Sequence, residues 1–211
     1  MSDQIIISVG REYRSGGEEV AKELSQRFGI KLYSKNILHE IAAGKSLDED
    51  ELAAYDEMPR HLFFSRHVMG YSNSPEENVA HMQFDFLRER AEEGESFVLL
   101  GRCGANVLAD YPALVSVFLT ASMDFKVHRC MDIENLTKDE ALRKVEDRTK
   151  RRREYHDYFC NQKFGVASTY DLCVATDVLG VDGTVDAIEA YVYRVQNARR
   201  LAAEAAAAGA E

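Results

Sequence analysis

The chain has 211 residues, 45% hydrophobic and 29% charged, with a formal net charge of −10; these are the proportions of a soluble globular protein, read as one domain over 1–211. The negative balance argues against general nucleic-acid binding, which needs a positive field, and no apolar run approaches the roughly 20 residues of a membrane span. Asp3 and the brevity of the first apolar run argue against a signal peptide, and four scattered cysteines without a CxxC pair read as reduced cytoplasmic thiols rather than disulfides or zinc.

The first stretch, Ile5 to Ala21, organises the rest. Ile5, Ile6, Ile7 and Val9 form an apolar run that ends at Gly10. A loop from Arg11 to Gly17 follows, and then Val20, Ala21, Leu24 and Phe28 fall at helical spacing. Strand, glycine-bearing loop and helix is the context of a phosphate site, because a helix N-terminus offers N–H groups and a positive dipole end. Gly16 and Gly17 lack a Cβ, so an anion can approach their backbone. The loop departs from G-x-x-x-x-G-K-[ST]. Aligned on Gly16, Gly17 stands at the lysine and Glu18 at the Ser/Thr that touches Mg²⁺, so Glu18 is the candidate metal contact. Arg11 and Arg14 are the cations that remain nearby. An ordinary βα turn, with Glu18 and Glu19 facing the helix dipole, fits the same residues.

Further along, Ile30–Tyr33 reads as a second strand, and Ser34 as the cap of a helix carrying Ile37, Leu38 and Ile41 and ending at Gly44. Residues 45–74 read as a substrate-side insertion, with an acidic short helix over Asp48–Met58, a break at Pro59, and a loop over Gly70–Ser74. Pro75 opens a long amphipathic helix that runs to Gly94. Phe97–Leu100 reads as a buried parallel strand ending in Gly101-Arg102, and Leu114–Leu119 as the next, followed by a helix from Ser122. Thr137 and Glu140 form a capping box ahead of a helix that enters a basic block. Leu172–Ala175 is the last strand. Asp182–Val195 is a terminal helix, and the alanine-rich tail, 201–211, either extends it or frays. Strands alternating with helices imply an α/β fold, a mainly parallel sheet of about five strands with helices on both faces, and ligands at the carboxyl ends of the strands. Three polar features fall at such ends: Arg11–Gly17, Gly101-Arg102 and Thr176-Asp177.

Several side chains could do chemistry. Arg102 directly follows a strand, where a guanidinium can clamp a phosphate or carboxylate, or simply cover the strand end. Residues 148–153 read RTKRRR, five cations in six positions. Such a run is either a solvated helix face, a nucleic-acid patch, or a phosphate clamp. Arg148 and Arg152 share one face, Lys150 and Arg153 another. Tyr155, Tyr158 and Phe159 either pin this helix to the body or offer a ring to a base. The six histidines lack HxxxH or HExxH spacing, and Ser15 lacks a GxSxG context.

As a set, these features resemble the cytidylate kinase-like family of P-loop proteins. The residues that carry the resemblance are Arg11-Glu12-Tyr13-Arg14-Ser15-Gly16-Gly17, Leu99 to Leu108 (LLGRCGANVL), 114–121, Lys150 to His156 with Lys163-Phe164-Gly165, and Tyr170-Asp171-Leu172 through Thr176, Leu179-Gly180 and Asp182-Gly183. The resemblance implies a three-layer P-loop NTPase-like fold with a helical lid over 137–165, and ATP- and Mg²⁺-dependent phosphoryl transfer to a nucleoside monophosphate such as CMP, or a similar small acceptor. Carried over, Arg11, Arg14 and the Ser15–Gly17 backbone hold donor phosphates, Arg102 binds the acceptor phosphate, and Lys150 and Arg152 come from the lid to act with Arg11 in catalysis. The alternative is a catalytically degenerate nucleotide-binding or regulatory protein on the same fold. Arg14 stands where the family usually has glycine, Thr149 where an acidic residue is expected, and Ala175 where asparagine is common.

Overall fold

A computed structural model describes residues 4–45, 48–56, 67–68, 71–72 and 74–208. In chain order they form β1 (Ile6–Arg11), α1 (Gly17–Phe28), β2 (Lys31–Tyr33), α2 (Asn36–Lys45), α3 (Glu49–Ala53), β3 (His67–Val68), β4 (Tyr71–Ser72), α4 (Pro75–Glu92), β5 (Phe97–Leu100), α5 (Gly104–Val107), β6 (Leu114–Thr120), α6 (Met123–Glu134), α7 (Lys138–Phe159), β7 (Leu172–Ala175) and α8 (Thr176–Ala208). Five strands make one parallel sheet in the order β2-β5-β1-β6-β7, and β3 and β4 pair separately as an antiparallel hairpin.

The period of two along each strand decides which helices it meets. Ile7, Val9, Val98, Leu100, Val117 and Leu119 face Val20 and Leu24 of α1 and Val185, Ile188 and Val192 of α8. Ile6, Phe97 and Leu99 face the other way, onto Ile37 and Ile41 of α2, Leu87 and Ala91 of α4, and Leu108. Two covered faces make three layers, as strands of near-continuous apolar residues require. Strand β1 lies central; from it the chain runs to β2 at one edge of the sheet, whereas from its neighbour β6 it runs to β7 at the other edge. That reversal opens a crevice above their carboxyl ends.

Local signals end most elements where the sequence places them. Ser74 caps α4 by accepting from Glu77 N, with Pro75 at its first position. Ser122 caps α6, and Thr137 and Glu140 close a capping box on α7. Ser34 is a correction: its hydroxyl donates to Asn36 Oδ1 instead of accepting from the helix. The last helix also differs, since α8 begins at Thr176, breaks at Gly180 (φ 68°, ψ −178°) and continues through the alanine-rich segment to Ala208. Gly180 adopts a conformation open to glycine alone, so a short helical piece joins a long one across it. Within the 45–74 segment, α3 lies inside the expected acidic helix; Met58, Pro59 and His61 to Arg66 lie outside the described residues.

Helix α7 is anchored twice. Near its start, Ala141 and Val145 pack on Val127 and Cys130 of α6. Near its end, Tyr155 packs with Ala80 and Phe84 of α4 and with Cys103. The basic block lies between these anchors, at the level of the strand ends.

Candidate active site

The loop after β1 is built by its own hydrogen bonds. Ser15 is fully buried, and its hydroxyl donates toward Glu12 O (3.0 Å) and Leu119 O (3.2 Å). Its N–H points at Glu12 O, at 3.5 Å. Ser15 therefore holds the turn to β6 and presents no side chain to a ligand. Arg14 takes φ 62° and Gly16 φ 83°, both left-handed, so Arg14 adopts the conformation that a glycine at its position favours. Gly17 begins α1, and a Cβ there would sit 2.8 Å from Arg11 Cγ. The Arg11 stem thus lies against the mouth of the helix, where the N–H groups of the first turn lack intrahelical acceptors.

The start of α8, just past β7, latches onto this turn. The buried Thr176 hydroxyl donates to Ser15 O at 2.5 Å and lies 3.1 Å from Thr120 O. Asp177 accepts from Ser122 N at 3.0 Å. From α7, Thr149 Oγ1 accepts from Tyr13 N at 3.3 Å, so the threonine that departs from the family pattern docks the helix on the turn.

Two cavities open over the crevice and share Arg11 and Arg152. The turn-side cavity, about 430 Å³, is bounded by the Arg11–Gly17 loop, Glu18, Glu19 and Arg129. The strand-end cavity, about 470 Å³, is bounded by Gly10, the Gly101–Ala105 segment, Tyr155, His156, Phe164 and Tyr170. Arg152 also lies over the Tyr13 ring, 5.4 Å from its centroid. Arg148, Lys150, Arg151 and Arg153 are exposed, and Lys150 lies 3.8 Å from Glu154. A helix can aim only one edge of such a block at a ligand, and here that edge is Arg152.

The other candidate residues are placed as follows. Arg14 lines the turn-side cavity, stacks on Tyr13 at 4.9 Å and pairs with Glu134. Glu134 also binds Lys144 and the Tyr13 hydroxyl, and these partners, Arg14 first, hold its carboxyl down to about 2. Glu18 is exposed on the cavity rim and makes no ion pair among the described residues. Arg102 is 2% exposed, lines the strand-end cavity and pairs with Asp56 at 2.7 Å. Gly101, Arg102 and Cys103 run at φ 81°, 56° and 56° in succession. Non-glycine residues in that region cost roughly 1–3 kcal/mol each and persist where their surroundings dictate them.

Five contributors were given no role from the sequence. Glu12 Oε2 accepts from Thr120 Oγ1 (2.9 Å) and from the buried Lys126 Nζ (2.7 Å), so a lysine from α6 sits behind the turn. Arg129, one helical turn further, reaches the cavity and binds Glu19. Tyr170 packs on Phe118, and burial pushes its hydroxyl up to about 12. Cys103 faces the strand-end cavity. Lys126 and Arg129 carry a weak signal, i, i+3 spacing just after a strand, which surface cations share.

The parallel sheet order, the glycine turn at a helix mouth and the cations gathered over it define an α/β protein of P-loop type. The cytidylate kinase-like family matches residues 6–178, and the chain belongs to that family. A cytidylate kinase of Methanopyrus kandleri is 25% identical over 202 residues, covering 90% of this chain and 94% of that protein. A crystal structure of an uncharacterized protein from Eubacterium ventriosum shares 34% identity and a TM-score of 0.71, covering 90% of this chain and 98% of that one. Shikimate kinase from Bacteroides thetaiotaomicron, at 10% identity, has a TM-score of 0.55 over 90% of this chain and 98% of its own, a likeness of fold.

Proposed function

We propose that the chain transfers the γ-phosphoryl group of ATP to a nucleoside monophosphate, with CMP the first acceptor to try, in the cytoplasm. The observation that carries the reading is the meeting of two cavities at Arg11 and Arg152. Phosphoryl transfer needs two in-line oxygens and positive charge around the group that passes between them, more than any covalent residue. On this reading the turn-side cavity takes the donor. Arg11, Arg14 and the Gly16–Gly17 amides hold its phosphates, and Ser15 serves by shaping the turn. The strand-end cavity takes the acceptor, whose phosphate competes with Asp56 for Arg102. Arg152 stands at the junction. Helix α7 is the lid, and Lys150 joins only if the helix turns it inward on closure. The curated relative named cytidylate kinase supports this assignment.

The site suits Mg²⁺ in the manner usual for nucleotides. Among the described residues no cluster of three His, Cys, Asp or Glu forms a metal cage. Mg²⁺ normally keeps waters and binds substrate phosphates with one or two carboxylates, and Glu18 on the cavity rim can supply one. When bound, the ion neutralises charge developing on the phosphate oxygens.

The degenerate alternative is favoured by two observations: Arg14 is already committed to Glu134, and Lys150 faces solvent. ADP formation from MgATP across a panel of nucleoside monophosphates and nucleosides, run beside nucleotide-induced thermal stabilisation, separates the two. Acceptor-dependent ADP supports transfer. Stabilisation without ADP across the panel supports the degenerate reading, and neither signal overturns both.

A further inference from the structure

Three neighbouring side chains carry no chemical step in the phosphoryl-transfer reading: Cys103 and His156, which line the strand-end cavity, and Cys160, which packs behind Cys103. Cys103 caps α5 just beyond β5. His156 lies in the last turn of α7, and Cys160 is the C-cap of that helix, its N–H donating to His156 O at 2.8 Å. All three are at least nine-tenths buried. The two cysteines pack in one cluster with Ala80, Phe84 and Tyr155, and both are reduced. The Cys103 thiol and the His156 ring adjoin the Cys160 sulfur closely enough to act on its charge. Cys103 and His156 also line the cavity, which gives a small molecule a way in.

We propose that Cys103 and Cys160 are a redox pair, converted by a hydroperoxide to a disulfide that joins the end of α7 to the turn after β5, and restored by a dithiol. The Cys160 thiolate attacks the O–O bond. An S–O bond forms, and the distal oxygen leaves with a proton as water, or as an alcohol from an organic hydroperoxide. The Cys103 sulfur then attacks the sulfenic sulfur, the S–S bond forms, and the hydroxyl leaves as water with the Cys103 proton. Two thiols are oxidised and one hydroperoxide is reduced. A dithiol reverses the change by exchange and becomes a disulfide itself.

The four cysteines differ in the direction their surroundings push them. The neighbouring Cys103 thiol, with help from His156 and against burial, holds Cys160 below its ordinary thiol value, which favours the thiolate. Burial alone would lower the His156 pKa, yet the adjoining Cys160 sulfur and the nearby Asp157 carboxylate hold it above its ordinary value. Burial raises both Cys130 and Cys173. Cys103 and Cys160 are the two cysteines that share one packed cluster, beside the cavity that Cys103 lines, and these directions agree with that placement. The new bond would fix the end of the helix that carries Arg152; that consequence rests on the phosphoryl-transfer reading, whereas the bond itself does not.

The test treats the full chain at neutral pH with hydrogen peroxide, alkylates under denaturing conditions and maps the peptides by mass. The expected result is loss of two of the four thiols and one linked peptide pair, Cys103 to Cys160, both reversed by dithiothreitol. Cys103→Ser should instead leave a sulfenic acid on Cys160 that dimedone captures. Cys173→Ser, at an exposed site, should keep the linked pair. Thiol loss confined to Cys130 or Cys173, no loss at all, or a link through another cysteine overturns the proposal from the parent chain alone, whatever the variants do. ADP formation before and after oxidation separates the two ideas. A linked pair in a chain that makes no ADP in either state leaves the redox pair standing and the transfer reading failed. ADP without a linked pair is the reverse.

Discussion

Thr176→Val tests whether the start of α8 holds the phosphate turn in place. Thr176 is 1% exposed and its hydroxyl faces two carbonyls, Ser15 O at 2.5 Å and Thr120 O at 3.1 Å. One proton cannot serve both fully, so the substitution removes one good hydrogen bond at nearly constant volume. It also leaves the Ser15 carbonyl against a methyl group. Losing a bond and orphaning a buried acceptor costs ~1–3 kcal/mol. For a domain of this size each kcal/mol moves Tm by roughly 2–4 °C, so a fall of roughly 2–12 °C is expected. Urea unfolding is the assay, with a common m, so that the midpoint shift reports stability alone. Thr176→Ser keeps the hydroxyl and should recover most of the loss. ATP-induced stabilisation should also weaken in the valine variant, because the affected carbonyl directly precedes Gly16. A valine variant within ~0.5 kcal/mol of the parent, the range of an ordinary surface change, refutes the reasoning.

Gly104→Ala should destabilise the chain by ~1–3 kcal/mol, measured in the same unfolding assay, because overpacking forces neighbours off their rotamers. Its Cβ would land against Leu99 Cδ2 and 2.5 Å from Ser8 Oγ, both beneath the strand-end cavity. Glu134→Gln should show a distinctive pH dependence. The folded pKa, about 2, lies below the ordinary 4.5, so the carboxylate stabilises the fold fully above 4.5 and loses that contribution as pH falls toward 2. Melting temperatures of parent and variant should therefore differ at neutral pH and converge between 4.5 and 2. A gap independent of pH contradicts the assigned role of Glu134.

The sheet was legible because its strands are short apolar runs, two of them ended by Gly10 and Gly101, and a buried parallel strand leaves that trace. The caps at Ser74, Ser122 and Thr137 were legible because capping is local. What the sequence hid is what depends on long-range partners or on φ. Arg102 stood out as a strand-end cation, but nothing near it in sequence announces Asp56, 46 residues away. The basic block pointed to Arg148 beside Arg152, yet two anchors set the rotation of α7, and only Arg152 turns inward. Lys126 falls within the helix expected from Ser122, but its pairing with Glu12 needs the folded crevice. The short α5 has too few residues to show a period, and its start depends on three successive left-handed residues, of which Arg102 and Cys103 are of types that rarely adopt that conformation.

Steady-state kinetics of Arg152→Ala beside Lys150→Ala tests the central claim most directly, that the two cavities form one phosphoryl-transfer site with its charge at their junction. Removing a preorganised donor from such a site lowers turnover by about 10²–10³. The account predicts that loss in kcat for Arg152→Ala with ATP-induced stabilisation largely retained, and only a few-fold change for the exposed Lys150→Ala. Parental turnover in Arg152→Ala, or an equal loss in both variants, would contradict it.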